Sequence, residues 1–221
     1  MSWKDYTKSQ IITMNAVLCA LVIIFVFIPR IGVLQTAVIP IIAIIISAEV
    51  MGVYNGMLTG LFFGLISLLS AFIKPNILSF AFYNPLVSIV PRILIGVSSY
   101  FAARGLMKIL PKKMHVFSYA VGALCGVLTN TIGVLGMILA FHFGTTLSNG
   151  SSIGWEWLVG IIVSNSILEA VVCTVLSPPL VLAVKKTCQL SARSRNQTPK
   201  QIEKVPDKDE DKIEKIEEID E

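Results

Sequence analysis

Six stretches of this chain are dominated by apolar residues, and each is 18 residues or longer. A bilayer core about 30 Å thick is crossed by roughly 20 helical residues rising 1.5 Å each, so every stretch is long enough to be read as a membrane span. They run from about Ile11 to Ile28, Leu34 to Met51, Val53 to Ile73, Leu86 to Ala103, Val116 to Phe143 and Trp155 to Val184. The punctuation between them is that of turns: Pro29, Arg30 and Gly32 after the first, Gly52 and Gly56 around the second turn, and Lys74, Pro75, Asn76, Asn84 and Pro85 before the fourth. The predicted fold is an all-α integral membrane protein, a bundle of six transmembrane helices in the cell membrane. At 54% apolar and 14% charged residues, against about 25% charged in soluble domains, a water-soluble domain is nearly excluded.

Charge gives the orientation. The first 186 residues carry a net +7, and the remainder carries −3. Lys4, Lys8, Arg104, Lys108, Lys112, Lys113, Lys185 and Lys186 fall on one side of the predicted spans, and only Arg30 and Lys74 on the other. The excess of Lys and Arg marks the cytoplasmic side, so both termini are predicted to be cytoplasmic. Trp155 and Trp157 at the outer end of the sixth span fit an interfacial aromatic belt. Residues 1–189 form the predicted membrane domain, and 190–221 read as a charged, disordered cytoplasmic tail that cannot bury a core. The first run is too long for a signal peptide and lacks a small-residue cleavage site. Cys19, Cys125, Cys173 and Cys188 show no CxxC or Cys/His spacing, so neither a disulfide framework nor a metal site is expected. So apolar a body is not a nucleic-acid binder, and membrane lipid is its expected surroundings.

A charge at the centre of a bilayer costs about 2.5–3.5 kcal/mol on insertion scales, which singles out Glu49, Arg92 and Glu169. Glu49 lies near the inner turn at Gly52 and is read as interfacial. Arg92 lies about 12 Å below the start of the fourth span, and Asn84, Ser88 and Arg92 share one helical face at i, i+4 and i+8. Asn130, between Thr129 and Thr131, lies about 17 Å below the outer end of the fifth span. Asn165 lies about 15 Å into the sixth, with Glu169 one turn deeper on the same face. Three helices thus bring hydrogen-bonding groups to a similar depth, as a small-molecule cavity with an apolar wall requires. A guanidinium there favours an anionic ligand, because it can bind a carboxylate through two parallel hydrogen bonds. Glu169 has two roles open to it, countering Arg92 or accepting from a ligand hydroxyl or amide. The Asn and Thr side chains could equally be interhelical glue, worth about 0.6 kcal/mol each.

Small residues are the remaining signal. Ala16 and Ala20 form an AxxxA ridge in the first span, suited to close approach by another helix. Gly52, Gly56, Gly60 and Gly64 recur at i+4 and are read as internal packing, as are Gly122, Gly126, Gly133 and Gly136.

With the AxxxA ridge, the glycine-rich turn and the segment FYNPLVSIVPRILIG (Phe82 to Gly96), the apolar body resembles the substrate-binding S components of energy-coupling factor transporters. The resemblance covers Met1 to about Lys186. It implies a membrane-embedded, high-affinity vitamin-binding subunit that captures substrate from outside. Such a subunit docks on one transmembrane coupling protein and two cytoplasmic ATPases, and rotates in the bilayer to release its cargo. It implies docking through Ala16 and Ala20, and a ligand pocket in the outer half that includes Asn84, Arg92, Asn130 and Asn165. The NPLVSIVPR form looks most like pantothenate-specific members, in agreement with the carboxylate argued for Arg92. Riboflavin, folate or a pyrimidine precursor are the alternatives within the family. An autonomous secondary transporter is an alternative outside it, although no inverted repeat is evident. No HExxH, GxSxG, paired-aspartate or Walker A pattern occurs, so neither an enzyme nor a self-contained ATPase is expected, and no cofactor is implied.

Overall fold

The computed structural model describes residues 7–27, 38–73, 79–146, 152–162 and 166–202, the last stretch without side chains from residue 191 onward. Arg30, Lys74, Asn165 and the tail from residue 203 lie outside the described residues. The described residues form eight α-helices and one short 3-10 turn, with a single isolated β-bridge between Thr146 and Ser152. The helices are α1 (Lys8–Phe27), α2 (Val38–Met51), α3 (Val53–Ile73), α4 (Ser79–Phe82), α5 (Pro85–Ile109), α6 (His115–His142), α7 (Trp155–Ile161) and α8 (Ile167–Ile202). The 3-10 turn, Lys112–Met114, joins α5 to α6.

Among the described residues, five helices are long and apolar enough to cross a membrane: α1, α3, α5, α6 and the stretch Ile167–Cys188 of α8. At 14 residues, α2 is shorter than that length. It is apolar on every side, and all of its residues except Ile39 are buried. A helix hydrophobic all round belongs in a core, and α2 packs against α1, α3, α5 and α6. Within the stretch expected to be one sixth span, α7 and α8 are described and 163–165 lie outside the described residues.

The chain reverses from α2 to α3 on Gly52 alone, whose φ of 102° is open to glycine and strained for other residues. The next helix, α3, sorts its faces sharply. Leu58, Leu61, Leu65, Leu69 and Phe72 are exposed along a helical stripe, while Gly56, Thr59, Gly60, Phe63 and Gly64 are buried on the other side. That buried stripe meets α5 backbone to backbone. Gly56 touches Gly96, Gly60 lies against the Arg92 carbonyl, and Gly64 lies against Ser88 and Ile89. The glycine repeat is therefore internal packing, as expected. The start of α5 is fixed by Asn84, whose Oδ1 accepts from Leu86 N at 3.0 Å, with Pro85 at the first helical position. At the same end of the bundle, α6 stops at Phe143 and Gly144, the latter at φ 78°. Gly144 N then donates to Ile153 O at 2.8 Å, returning Ile153 to a cluster with Ala81, Val87 and Ile138.

The chain divides into two units, 1–184 and 185–221. The bundle described above is the first; the described part of the second is the end of α8.

Candidate functional site

Proline at position 91 has no N–H to offer the carbonyl of Val87, the residue four earlier in α5. That carbonyl is taken instead by Arg92 Nη1 at 2.7 Å. The side chain reaches back toward the helix N-terminus, the direction helical side chains adopt. The guanidinium then lies between two rings, its Cζ 5.0 Å from the centroid of Phe82 and 5.6 Å from that of Phe63. Such contacts contribute about 2 kcal/mol or more when desolvated, and Arg92 is only 6% exposed. Peptide oxygen and aromatic faces thus hold the cation with one edge left over: Arg92 Nε is buried and has no hydrogen-bond partner.

Two acceptors are in the same condition. Asn130 Oδ1 on α6 and Glu169 Oε1 on α8 are buried without hydrogen-bond partners. Gly133 of α6 faces Pro91, where an added Cβ would lie 3.0 Å from the proline Cβ. Asn130, one turn away, therefore shares the α6 face that meets α5 near Arg92. Glu169 is 7% exposed and close enough to attract the guanidinium. Among the described residues no ion pair joins the two. An unpaired buried polar atom costs about 1–3 kcal/mol, so a group supplying the missing partners gains that much at each. One cationic donor and two acceptors suit a carboxylate carrying hydroxyl or amide donors.

The remaining expected residues have different surroundings. Ser88 is fully buried, and its Oγ donates to Gly64 O at 3.2 Å, fastening α5 to α3. Asn84 is half-buried and uses its Oδ1 as the α5 cap. Ala16 and Ala20 are exposed on α1, beside the exposed Ile12, Val17 and Ile24. Thr129 donates to Cys125 O within its own helix at 2.7 Å, and Asn165 lies outside the described residues.

Glu49, expected near the inner turn, is 2% exposed, with residues of α5 and α6 covering it. Ser99 Oγ donates to its Oε1 at 3.1 Å, and a Cβ on Gly122 would fall on the same oxygen. Sequence reasoning also missed Phe63 and Phe82 beside Arg92, and Asn15, Ser47, Asn55 and Thr59, whose side chains hydrogen-bond across α1, α2 and α3. The proline four residues after Val87 and next to Arg92 was a local signal for the first of these. No local signal pairs Glu49 with Ser99.

The family model described as "ECF transporter, substrate-specific component" matches residues 10–181. The chain belongs to this family. It is a multi-pass membrane protein and a transporter component rather than an enzyme. Among curated relatives, "Pantothenic acid transporter PanT" of Lactococcus lactis subsp. cremoris (strain MG1363) is 32% identical over 158 residues, covering 65% of this chain and 74% of the relative. "Pantothenate transporter PanT" of Leuconostoc mesenteroides subsp. mesenteroides is 28% identical over 180 residues, covering 74% and 86%. The matched residues of this substrate-specific component contain every expected site residue, from Ala16 to Glu169.

Proposed function

We propose that this chain is the high-affinity pantothenate-binding component of an ATP-driven uptake transporter, with ATP hydrolysis on partner subunits. The observation that carries the ligand is the Arg92 guanidinium, held between Phe63 and Phe82 with Nε unbonded. The pantothenate carboxylate binds that edge, and its hydroxyls and amide N–H donate to Asn130 and Glu169. Asn165, Asn84 and Ser88 complete the site, Ser88 by holding the α5 backbone against α3. The printed names of both curated relatives support this substrate.

In this reading six spans cross the membrane with both termini cytoplasmic, residues 1–189 forming the membrane domain and 190–221 a tail. The site opens to the exterior. Ala16 and Ala20 meet a transmembrane coupling protein that carries two cytoplasmic ATPases. The exposure of this face of α1 supports that assignment.

Thermal-shift and calorimetric titration of the purified chain against the B vitamins tests the substrate, since a ligand of the folded state raises its stability. Pantothenate is expected to stabilise the chain; stabilisation by riboflavin or folate alone overturns the proposal. Ala16→Trp is expected to leave binding intact and to abolish uptake in liposomes holding the whole transporter. Uptake by the chain alone, without ATPases, would make it a secondary transporter.

A further inference from the structure

Apolar residues surround α1 on all sides after its first turn, and only Leu18 and Val22 among them are buried in the bundle. In water the apolar face of a helix fixes its rotation. In lipid it cannot, because hydrocarbon and a neighbouring helix attract leucine or isoleucine about equally. Something directional must choose which side of α1 faces out. Thr13 does not, because its hydroxyl donates to Ser9 O in the same helix. Asn15 does: Nδ2 donates to Asn55 Oδ1 on α3 at 2.8 Å, and Oδ1 accepts from Ser47 Oγ on α2 at 3.2 Å. The chain of bonds continues at both ends, with Thr59 Oγ1 donating to Ser47 Oγ at 3.0 Å and Asn55 Nδ2 to Met51 O at 3.0 Å. Ser47 and Thr59 are fully buried.

We infer that Asn15 is a positioning residue that locks the rotation of α1 and so presents Ala16 and Ala20 outward for docking of the partner helix. At 100° per residue, Asn15, Leu18 and Val22 lie within about 60° of one another, and Ala16 and Ala20 lie about 100–160° round the helix from them. A turn of one residue position would bring Ala16 to the place of Asn15 and close the ridge. A single buried Asn fixes register in coiled coils in the same way, by making every other setting leave an amide unpaired. The docking role of Ala16 and Ala20 comes from the proposed function; the rotational lock does not depend on it.

The test uses the full chain in liposomes, without partners or vitamin, with its four cysteines replaced by alanine and single cysteines placed at 16, 17, 18, 20 or 22. Labelling by a lipid-soluble maleimide is expected to be fast at 16, 17 and 20 and slow at 18 and 22. Asn15→Leu is expected to reduce this contrast at least fivefold, and Asn15→Asp, which keeps the acceptor for Ser47 but loses the donor to Asn55, to restore only part of it. Ser47→Ala, which preserves packing volume, is expected to reduce it partially. Pantothenate affinity measured separately should stay within about twofold, while uptake by the complete transporter falls at least tenfold. An unchanged labelling pattern in Asn15→Leu overturns the lock. So does loss of vitamin binding together with uptake in both Asn15→Leu and Ser47→Ala, which would make the network a general support of the fold. If the pattern shifts but uptake does not, the lock stands and the docking role of the ridge falls.

Discussion

Arg92 Nη1 and the Val87 carbonyl, 2.7 Å apart, form the hydrogen bond that Pro91 makes available. Three positions within little more than one helical turn thereby convert a helix defect into an anchor. The proline withdraws a donor, the buried carbonyl is left without its helical partner, and the side chain next to the proline folds back onto it.

Pro91→Ala restores the missing N–H, which competes with Arg92 for the Val87 carbonyl. The variant is expected to be as stable as the parent or more so, yet to bind pantothenate about tenfold more weakly as the guanidinium loses its fixed orientation. Paired melting and calorimetric titration distinguish this from ordinary damage, which lowers both.

Removing the cation itself has a larger effect. Arg92→Ala is expected to weaken pantothenate binding by about 2 kcal/mol or more, roughly thirtyfold, the scale of a lost charge-assisted hydrogen bond. Arg92→Lys retains charge without the planar fork and should recover only part of that loss. Affinity unchanged in Arg92→Ala would remove the residue from the site.

Asn84 separates capping from ligand contact. Asn84→Asp preserves a side-chain acceptor for Leu86 N and should melt within about 0.5 kcal/mol of the parent, whereas Asn84→Ala should lose about 1 kcal/mol. Near a bound carboxylate the new aspartate is repulsive, so affinity is expected to fall severalfold in Asn84→Asp. Calorimetry showing equal affinity would assign Asn84 to the helix start alone.

For Glu49 the contrast is between an isostere and a hydrocarbon. Glu49→Gln keeps an acceptor for Ser99 Oγ and is expected to melt near the parent. Glu49→Leu leaves that hydroxyl buried without its carboxylate and places bulk against Gly122, at a cost of about 1–3 kcal/mol. Denaturation followed by tryptophan fluorescence measures both.

Gly60→Ala puts a methyl group onto the Arg92 carbonyl, where only backbone can yield. A destabilisation of about 1–3 kcal/mol is expected from overpacking. Gly136→Ala, inside α6 and meeting no neighbouring atom within 4 Å, should keep or raise the melting point.

The helices were legible where apolar length and turn residues coincide: α3 occupies the expected Val53–Ile73, and α5 and α6 begin within one residue of their expected starts. Arg92 was legible as a buried cation because a charge at that depth of an apolar span demands an explanation. Its aromatic cage was not, because Phe63 is 29 positions away on another helix and one among many apolar residues. The covering of Glu49 was hidden for a related reason. Its distance from a turn in sequence says nothing about whether α5 and α6 cover it, and the covering depends on Gly122 and Ser99.

With glycines at 56, 60 and 64 against the main chain of α5, no side-chain layer separates α3 from α5 at these crossings. Two helices joined that intimately tilt as one stiff plank. Phe63 rides on one helix of the pair and Arg92 on the other, so ring and guanidinium keep their mutual contact at whatever inclination the pair takes in the bilayer.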